Sequence, residues 1–489
     1  MGKYLLGIDV GTTGTKSMLF SETGEVLGHA YEGYPCVAAQ VGWSEQNAEH
    51  WWTAVKNTVN QLCKERDIAE NVVAISLSLQ GGTIVPVDEN CNPLRPAIVW
   101  NDSRCEEQKA AFLREVGEES LMYRCTGWAL SSGLPALAIR WIRENEPEIF
   151  AKTKMFLSVP DYISVKMTGV AAIDPSDAGI NQLSNIRQGG YEPKLLDFAG
   201  ITEQMLPRIV PSGTTVGHLT QEAAQALGLT TKTVLVTGAH DQYAVALGAG
   251  ASNAGDILIG SGTCWVVTAI ADEPDFSGGL SQSVSAIPGK WGSLQSLSSG
   301  GICLDWLRKQ IADESQLPYD VINREVAVRK AAEDGLFFFP FTGKAGESKR
   351  FTRGSFVGLD LSHDRFHMAK AIMEGVVFQT LWMMESFATK PSEEGLILAG
   401  GASKSPVWAQ LLADISGLPV RIPEIADLAC VGAAIMAGVG GGVYADAAEG
   451  YRRLAVKEKR ILPDLNRTAQ YAKLFAAYKQ YAQSIGNLA

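Results

Sequence analysis

Hydrophobic and polar positions along this chain re-space repeatedly, from a period of two to a period near 3.6, and predict strands and helices in alternation. Apolar runs at 4–8, 15–20 and 26–31, with the turn Glu22-Thr23-Gly24-Glu25, predict a β-meander. A helix is expected over 48–63, then a buried strand at 72–79 that 84–87 continues. A charged helix opens after Asn101-Asp102-Ser103-Arg104, and another follows the punctuated loop after Trp128. The segment 169–215 is rich in Pro, Gly and Asp and holds no long periodic run. A strand at 233–237 ends in Gly238-Ala239-His240-Asp241-Gln242, and a small-residue helix runs on to about 250. Strand 256–259, turn Gly260-Ser261-Gly262-Thr263 and strand 264–269 come next. Strands at 336–341 and 396–398, helices at 368–385, 406–416 and 431–438, and a helical tail from 468 complete the pattern. No half is purely strand or purely helix, so the expected class is α/β.

The opening hairpin has a near-repeat. Aligning Gly11 with Gly260 superposes apolar strand, Gly and hydroxyl turn, and apolar strand at an offset of 249 residues, about half the chain. A period of that size implies two related domains or a chance likeness of two hairpins. At 489 residues the chain exceeds what one core supports, so two or three domains are expected.

Composition narrows the partners. A net charge of −11 without any basic block argues against nucleic acid or an anionic membrane. The eight cysteines are scattered without Cys-x-x-Cys and the six histidines are dispersed, which disfavours structural zinc and fits reduced thiols. Residues 1–20 show no signal-peptide pattern, and the Gly/Ala-rich run 429–445 is too short to span a bilayer. A cytoplasmic protein without a membrane partner is expected.

Candidate chemistry begins at Gly7-Ile8-Asp9-Val10-Gly11-Thr12-Thr13-Gly14-Thr15-Lys16. Glycines let successive amide N–H groups converge on an anion, and a carboxylate beside them suits magnesium bridging to phosphate. It is not a P-loop, because the lysine spacing differs and a strand follows. Asp241 reads either as a general base on a strand-end turn or as the N-cap of the next helix. His240 is expected on the opposite face if the strand continues through it, in a packing or supporting role. The tryptophans, including Trp51-Trp52, read as packing, and Glu106-Glu107 and Glu118-Glu119 as solvated helix faces.

Glycine-hydroxyl turns at 11–15, 260–263 and 400–403, with Asp9 and Asp241 at further strand ends, resemble the FGGY carbohydrate kinases of the actin-like, ribonuclease H-like fold. The most specific match is Gly354-Ser355-Phe356-Val357-Gly358-Leu359 followed by His367-Met368 and Ala371-Ile372-Met373-Glu374. Gly42-Trp43-Ser44-Glu45-Gln46 and Arg95-Pro96-Ala97-Ile98-Val99-Trp100-Asn101-Asp102 look most like the xylulokinase branch. The resemblance implies two α/β domains, 1–243 on the sugar side and 244–489 on the nucleotide side, with a cleft between them that closes on its substrates. It implies transfer of the γ-phosphoryl group of ATP, with Mg2+, to a hydroxyl of a ketose or related sugar. A polyol or other sugar-derivative kinase is the alternative, and a non-catalytic nucleotide switch the rival from another class.

Carried onto this sequence, Asp241 is the general base. Thr12, Thr13, Lys16, Gly262 and Thr263 hold phosphates, and Gly400, Gly401, Ala402 and Ser403 receive the nucleotide. Asp9 and Asp241 attend the metal. Gln80, Gly81, Gly82, Asp102 and Gln242 face the acceptor, and Asp102 reads equally as a helix cap. ATP, ADP and a small sugar are the expected partners, and a homodimer is an open expectation. Xylulokinases typically show Gln-Met-His-Gly where this chain has Gln80-Gly81-Gly82-Thr83. A usual lysine is replaced by Ala138, and a usual Gly-Glu-Arg-Thr-Pro stretch by Gly343-Lys344-Ala345-Gly346-Glu347. Since the departures cluster on substrate-facing stretches, an acceptor other than D-xylulose is expected.

Overall fold

The computed structural model of the chain describes residues 2–64, 68–117, 119–311, 317–340, 354–425, 427–454 and 456–486. Gly343-Lys344-Ala345-Gly346-Glu347, Glu118 and the side chain of Glu119 lie outside the described residues. The chain forms two compact units, one made of Met1–Ser252, Ala271–Gly292 and Ile425–Val456, the other of Asn253–Ile270, Ser293–Glu424 and Lys457–Ala489. A single cut between 243 and 244 assigns 425–456 to the second half, whereas that segment packs with the first unit.

In the first unit, strands β1 (Tyr4–Val10), β2 (Gly14–Ser21), β3 (Val26–Gly33), β4 (Val72–Leu79), β5 (Thr215–His218) and β6 (Val234–His240) form a sheet in the order β3-β2-β1-β4-β6-β5. β1 pairs antiparallel with β2 and parallel with β4, which pairs parallel with β6. Leu5, Leu6, Ile8 and Val10 are all fully buried, because both faces of this central strand are covered. Leu6, Ile8 and Val10 share a core with Trp51, Val55 and Val59 of the helix Ala48–Lys64. On the other face the helix Leu428–Gly440 lies so close that a Cβ at Gly7 would fall 1.9 Å from the Cys430 carbonyl oxygen. The small-residue run thus forms a buried helix, with Gly432 as tightly seated against Ala244 of the helix Asp241–Gly248. The expectation that 84–87 prolongs β4 fails: Val85–Val87 pairs instead with Met155–Leu157. The intervening Gly82, at φ +73°, turns the chain out of the sheet.

In the second unit, β7 (Ile257–Ser261), β8 (Trp265–Ala271), β9 (Trp291–Leu297), β10 (Leu396–Gly400), β11 (Val420–Pro423) and β12 (Glu458–Ile461) run in the order β9-β8-β7-β10-β11-β12. These are six of the seven strands of that sheet; their order matches the first sheet, and so do the directions at its centre: β7 is antiparallel to β8 and parallel to β10, which is parallel to β11. The repeat is therefore topological, but its register differs from the sequence alignment. After the last paired residue of each leading strand, Gly11 N–H closes on Gly14 O at 3.0 Å and Gly262 N–H on Cys264 O at 3.1 Å. Gly11 corresponds to Gly262, two residues beyond Gly260, because β7 continues through Gly260 and Ser261. Among the described residues no helix is long and apolar enough to cross a membrane.

Candidate active site

Asp9 stands one residue before the end of β1, directly opposite Lys16 on β2 and Ser78 on β4. Ser78 Oγ donates to its Oδ1 at 2.9 Å, and Lys16 Nζ lies 3.3 Å from its Oδ2. Burial pushes the Asp9 carboxyl up to about 6, Lys16 pulls it down, and the charges of Asp427 and Asp241 push it up again. Lys16 is shared, since its ammonium also lies 3.0 Å from Asp427 Oδ2. Asp427 escaped sequence reading. Its one visible cue is its place before a small-residue helix, which it caps by accepting from Cys430 N–H.

The turn after β1 is held by its carbonyls. Tyr34 donates to Gly11 O at 2.6 Å, Gln46 Nε2 to Thr12 O at 2.5 Å, and Tyr31 to Thr13 O at 3.3 Å. The Thr12 hydroxyl receives the Trp100 indole N–H at 3.2 Å, and Thr13 is exposed. Gln46 does a second thing that sequence reading missed: its Oε1 accepts from Gln80 Nε2 at 2.9 Å, tying the turn after β1 to the candidate acceptor loop. Gln80 is buried and keeps an unpartnered Oε1. Gly82 is seated against Leu134 and Ile180, and Gly81 against His240 and Ile180.

Asp241 is the first residue of its helix and not its cap; His240 holds the cap position, without a side-chain cap bond. The capping alternative is therefore wrong, and the condition for an opposite-face His240, a strand running on past it, is not met. The strand ends at His240 and the helix starts at Asp241, so strand alternation never spans the pair, and His240 Nε2 comes within 3.4 Å of Asp241 Oδ1. That oxygen is buried without a hydrogen-bond partner, while the side chain as a whole is 36% exposed, so Oδ2 faces outward. Gln242 follows on the same first turn, half-buried.

Asp102 is buried and heavily hydrogen-bonded. Its carboxylate accepts from Arg104 Nε at 2.9 Å and Nη2 at 2.7 Å, and from the Ser44 backbone N–H at 2.6 Å. Cys105, not Asp102, holds the N-cap position of the helix Glu106–Glu115, without a side-chain cap bond, which overturns the capping alternative for Asp102. Ala138, where a lysine is usual, is buried in an apolar core.

The second unit contains a pocket of about 480 Å³ lined by Gly262, Thr263, Gly401 and Ala402 among the expected residues. Gly400, at φ +91°, precedes the lining residue Gly401 and stands against Ser261. The Ser403 hydroxyl donates to Gly400 O at 2.7 Å. Unforeseen lining residues include Trp265 and Trp408, whose rings stand 5.4 Å apart, together with Tyr319 and Asn323. Aromatic walls from separate elements leave no local pattern in the chain. Glu374 of the signature segment is buried and accepts from Ala332 N–H and from the Tyr471 hydroxyl, so it secures the core of this unit.

Comparison with known proteins agrees with this arrangement. Residues 4–248 match the N-terminal domain model of the FGGY family of carbohydrate kinases, and residues 255–441 its C-terminal domain model. The chain is 31% identical to a gluconokinase of Bacillus subtilis, over 91% of this chain and 88% of that one. It is also 31% identical to an L-xylulose/3-keto-L-gulonate kinase of Escherichia coli, over 98% and 96%. The crystal structure of a xylulose kinase from Rhodospirillum rubrum superposes with a TM-score of 0.92 at 25% identity, covering 99% of each chain. With both units built on the actin-like, ribonuclease H-like topology, this chain belongs to the FGGY family of carbohydrate kinases and is a sugar kinase, a phosphotransferase with an alcohol group as acceptor.

Proposed function

We propose that the enzyme transfers the γ-phosphoryl group of MgATP to a hydroxyl of a neutral ketose or polyol, with Asp241 as general base. The partly exposed carboxylate of Asp241 supports this most directly, because a base needs an oxygen open to the site to take the hydroxyl proton as the acceptor attacks. Phosphoryl transfer needs little else in covalent terms; it needs the phosphates held and the acceptor aligned. Thr12, Thr13 and Lys16 in one hairpin, and Gly262 and Thr263 in the other, are suited to hold phosphates. Gly400, Gly401 and Ala402 offer backbone to the nucleotide, with Ser403 and Asn323 as polar groups beside it.

A divalent metal accompanies ATP in such kinases, and we assign Mg2+ here. The carboxylates of Asp9 and Asp241 suit a hard cation that takes its other ligands from water and phosphate. When bound, it neutralises charge on the phosphates.

On the acceptor side, Gln80, Gly81, Gly82 and Gln242 are assigned to the sugar, with Asp102 acting through Ser44 and Arg104. Arg95 and Arg104, the guanidinium groups of that stretch, are taken up by Glu45, Glu146 and Asp102, which favours a neutral acceptor over a sugar acid. The test is an ADP-release screen over ketoses, polyols and aldonates. Fastest turnover is expected on a neutral acceptor other than D-xylulose; D-xylulose or an aldonate in first place would overturn this assignment.

A further inference from the structure

We propose that His240 is a positioning residue for Asp241, and that position 81 is glycine because the imidazole needs its space. The proposal rests on the reading of Asp241 as the base. The loop Gln80-Gly81-Gly82-Thr83 carries no imidazole of its own, yet the space above it is filled. A Cβ at Gly81 would fall 2.4 Å from His240 Cδ2 and 2.9 Å from Nε2, separations that real Cβ atoms do not adopt. The ring is 7% exposed and lies between Trp128 and Tyr243, with centroids 6.0 and 5.9 Å away. Its backbone N–H donates to Ser176 Oγ at 3.0 Å, and that hydroxyl in turn donates to the buried carboxylate of Asp174. The imidazole is thus fixed by its backbone and by two aromatic edges.

What it faces is Asp241 Oδ1, 3.4 Å from Nε2. Oδ1 is buried and accepts no hydrogen bond as placed, from Nε2 or any other donor, so pairing the two takes the tautomer with the hydrogen on Nε2 and a small turn of the side chains. The distance is long for a hydrogen bond, as catalytic contacts often are before substrate arrives. A carboxylate is nearly two-fold symmetric about its last torsion and turns easily. A donor on one oxygen removes that freedom, holding Oδ1 inward and aiming Oδ2 at the attacking hydroxyl. Such alignment carries much of the rate in a reaction that depends on positioning, where small displacements cost up to about 10²-fold.

Two substitutions separate this role from packing. His240→Phe keeps an aromatic ring between Trp128 and Tyr243 but cannot donate; His240→Gln keeps an N–H and loses the ring. The expected result is a kcat lowered about 10- to 100-fold in the Phe variant and largely retained in the Gln variant, with KM for ATP within about twofold of wild type in both. A packing role reverses the order, with Phe near wild type and Gln impaired, and that outcome overturns the proposal. Should the Phe variant fail to fold, His240→Asn against His240→Gln decides, because the shorter amide does not reach Oδ1; equal kcat values overturn the proposal. Gly81→Ala should lower kcat by displacing the ring and add nothing further in the Phe background. Asp241→Asn distinguishes the two levels of failure. If it stays fully active, the base assignment fails; if it is inactive while His240→Phe is unaffected, only the role of His240 fails.

Discussion

The two sheets share strand order, central strand directions and a leading hairpin, yet their hairpins carry opposite chemistry. One residue before the end of β1 stands Asp9, facing Lys16 and Ser78. The matching position on β7 is Gly260, facing Val266 and Ala399. Every charge or hydroxyl of the first constellation is replaced by a side chain that is small or apolar. In place of charge, the second unit has a pocket with two tryptophans and a bare Gly401-Ala402 backbone. One scaffold thus serves two tasks: a polarised end suited to metal, phosphate and proton, and a stripped end suited to a large flat ligand. Function follows what stands at a few register positions, not the fold that supplies them.

The contrast breaks most visibly at Asp241. Asp241→Asn is expected to lower kcat by about 10²–10⁴-fold with little change in KM for ATP, measured by steady-state kinetics. A loss confined to KM for ATP would erase the division between the two ends.

Asp9 gives the next largest effect, on stability and with a defined sign. Burial holds its folded carboxyl at about 6, above the unfolded value near 3.8, so the folded state binds the proton more tightly. Stability from this group is present below pH 4, falls as pH rises from about 4 to 6, and is fully lost above that, by about 3 kcal/mol. In metal-free buffer Asp9→Asn should therefore raise Tm at pH 7.5 and leave it unchanged at pH 4. Adding MgATP should raise Tm of the wild type more than that of the variant. A variant less stable at pH 7.5 would contradict the picture of Asp9 as a strained, functional charge.

The second unit should respond through shape. At Gly400 a side chain would meet a φ of +91° and the Ser261 carbonyl oxygen at 2.7 Å, so Gly400→Ala should cost about 1–3 kcal/mol in denaturant unfolding. Gly262 is different, because a Cβ there meets nothing nearer than Cys264 O at 3.5 Å. Gly262→Ala should fold normally and raise KM for ATP about tenfold, equivalent to about 1.4 kcal/mol of lost contact, with kcat nearly unchanged. An unaltered KM would show that phosphate does not approach that backbone.

Much of this was legible along the chain because the carriers are local. Period-two and period-3.6 spacing announces buried strands and helices wherever the covering is apolar, and glycine-hydroxyl turns mark strand ends whatever packs behind them. Asp9, Asp241 and the turns at 262 and 400 lie in such local patterns. The register of the repeat was not legible, since Gly260 and Ser261 read as turn residues and sit in a strand that pairs on both sides. Nor was Asp427, which reaches Lys16 only because a segment more than 400 residues away packs back onto the first sheet. The Gln46 bridge, the capture of Asp102 by Arg104 and the His240–Asp241 contact are side-chain pairings among residues whose types were plain. Spacing along a chain determines which way a side chain leaves its own element. Which partner it then meets depends on the covering elements, and for that only the folded packing decides.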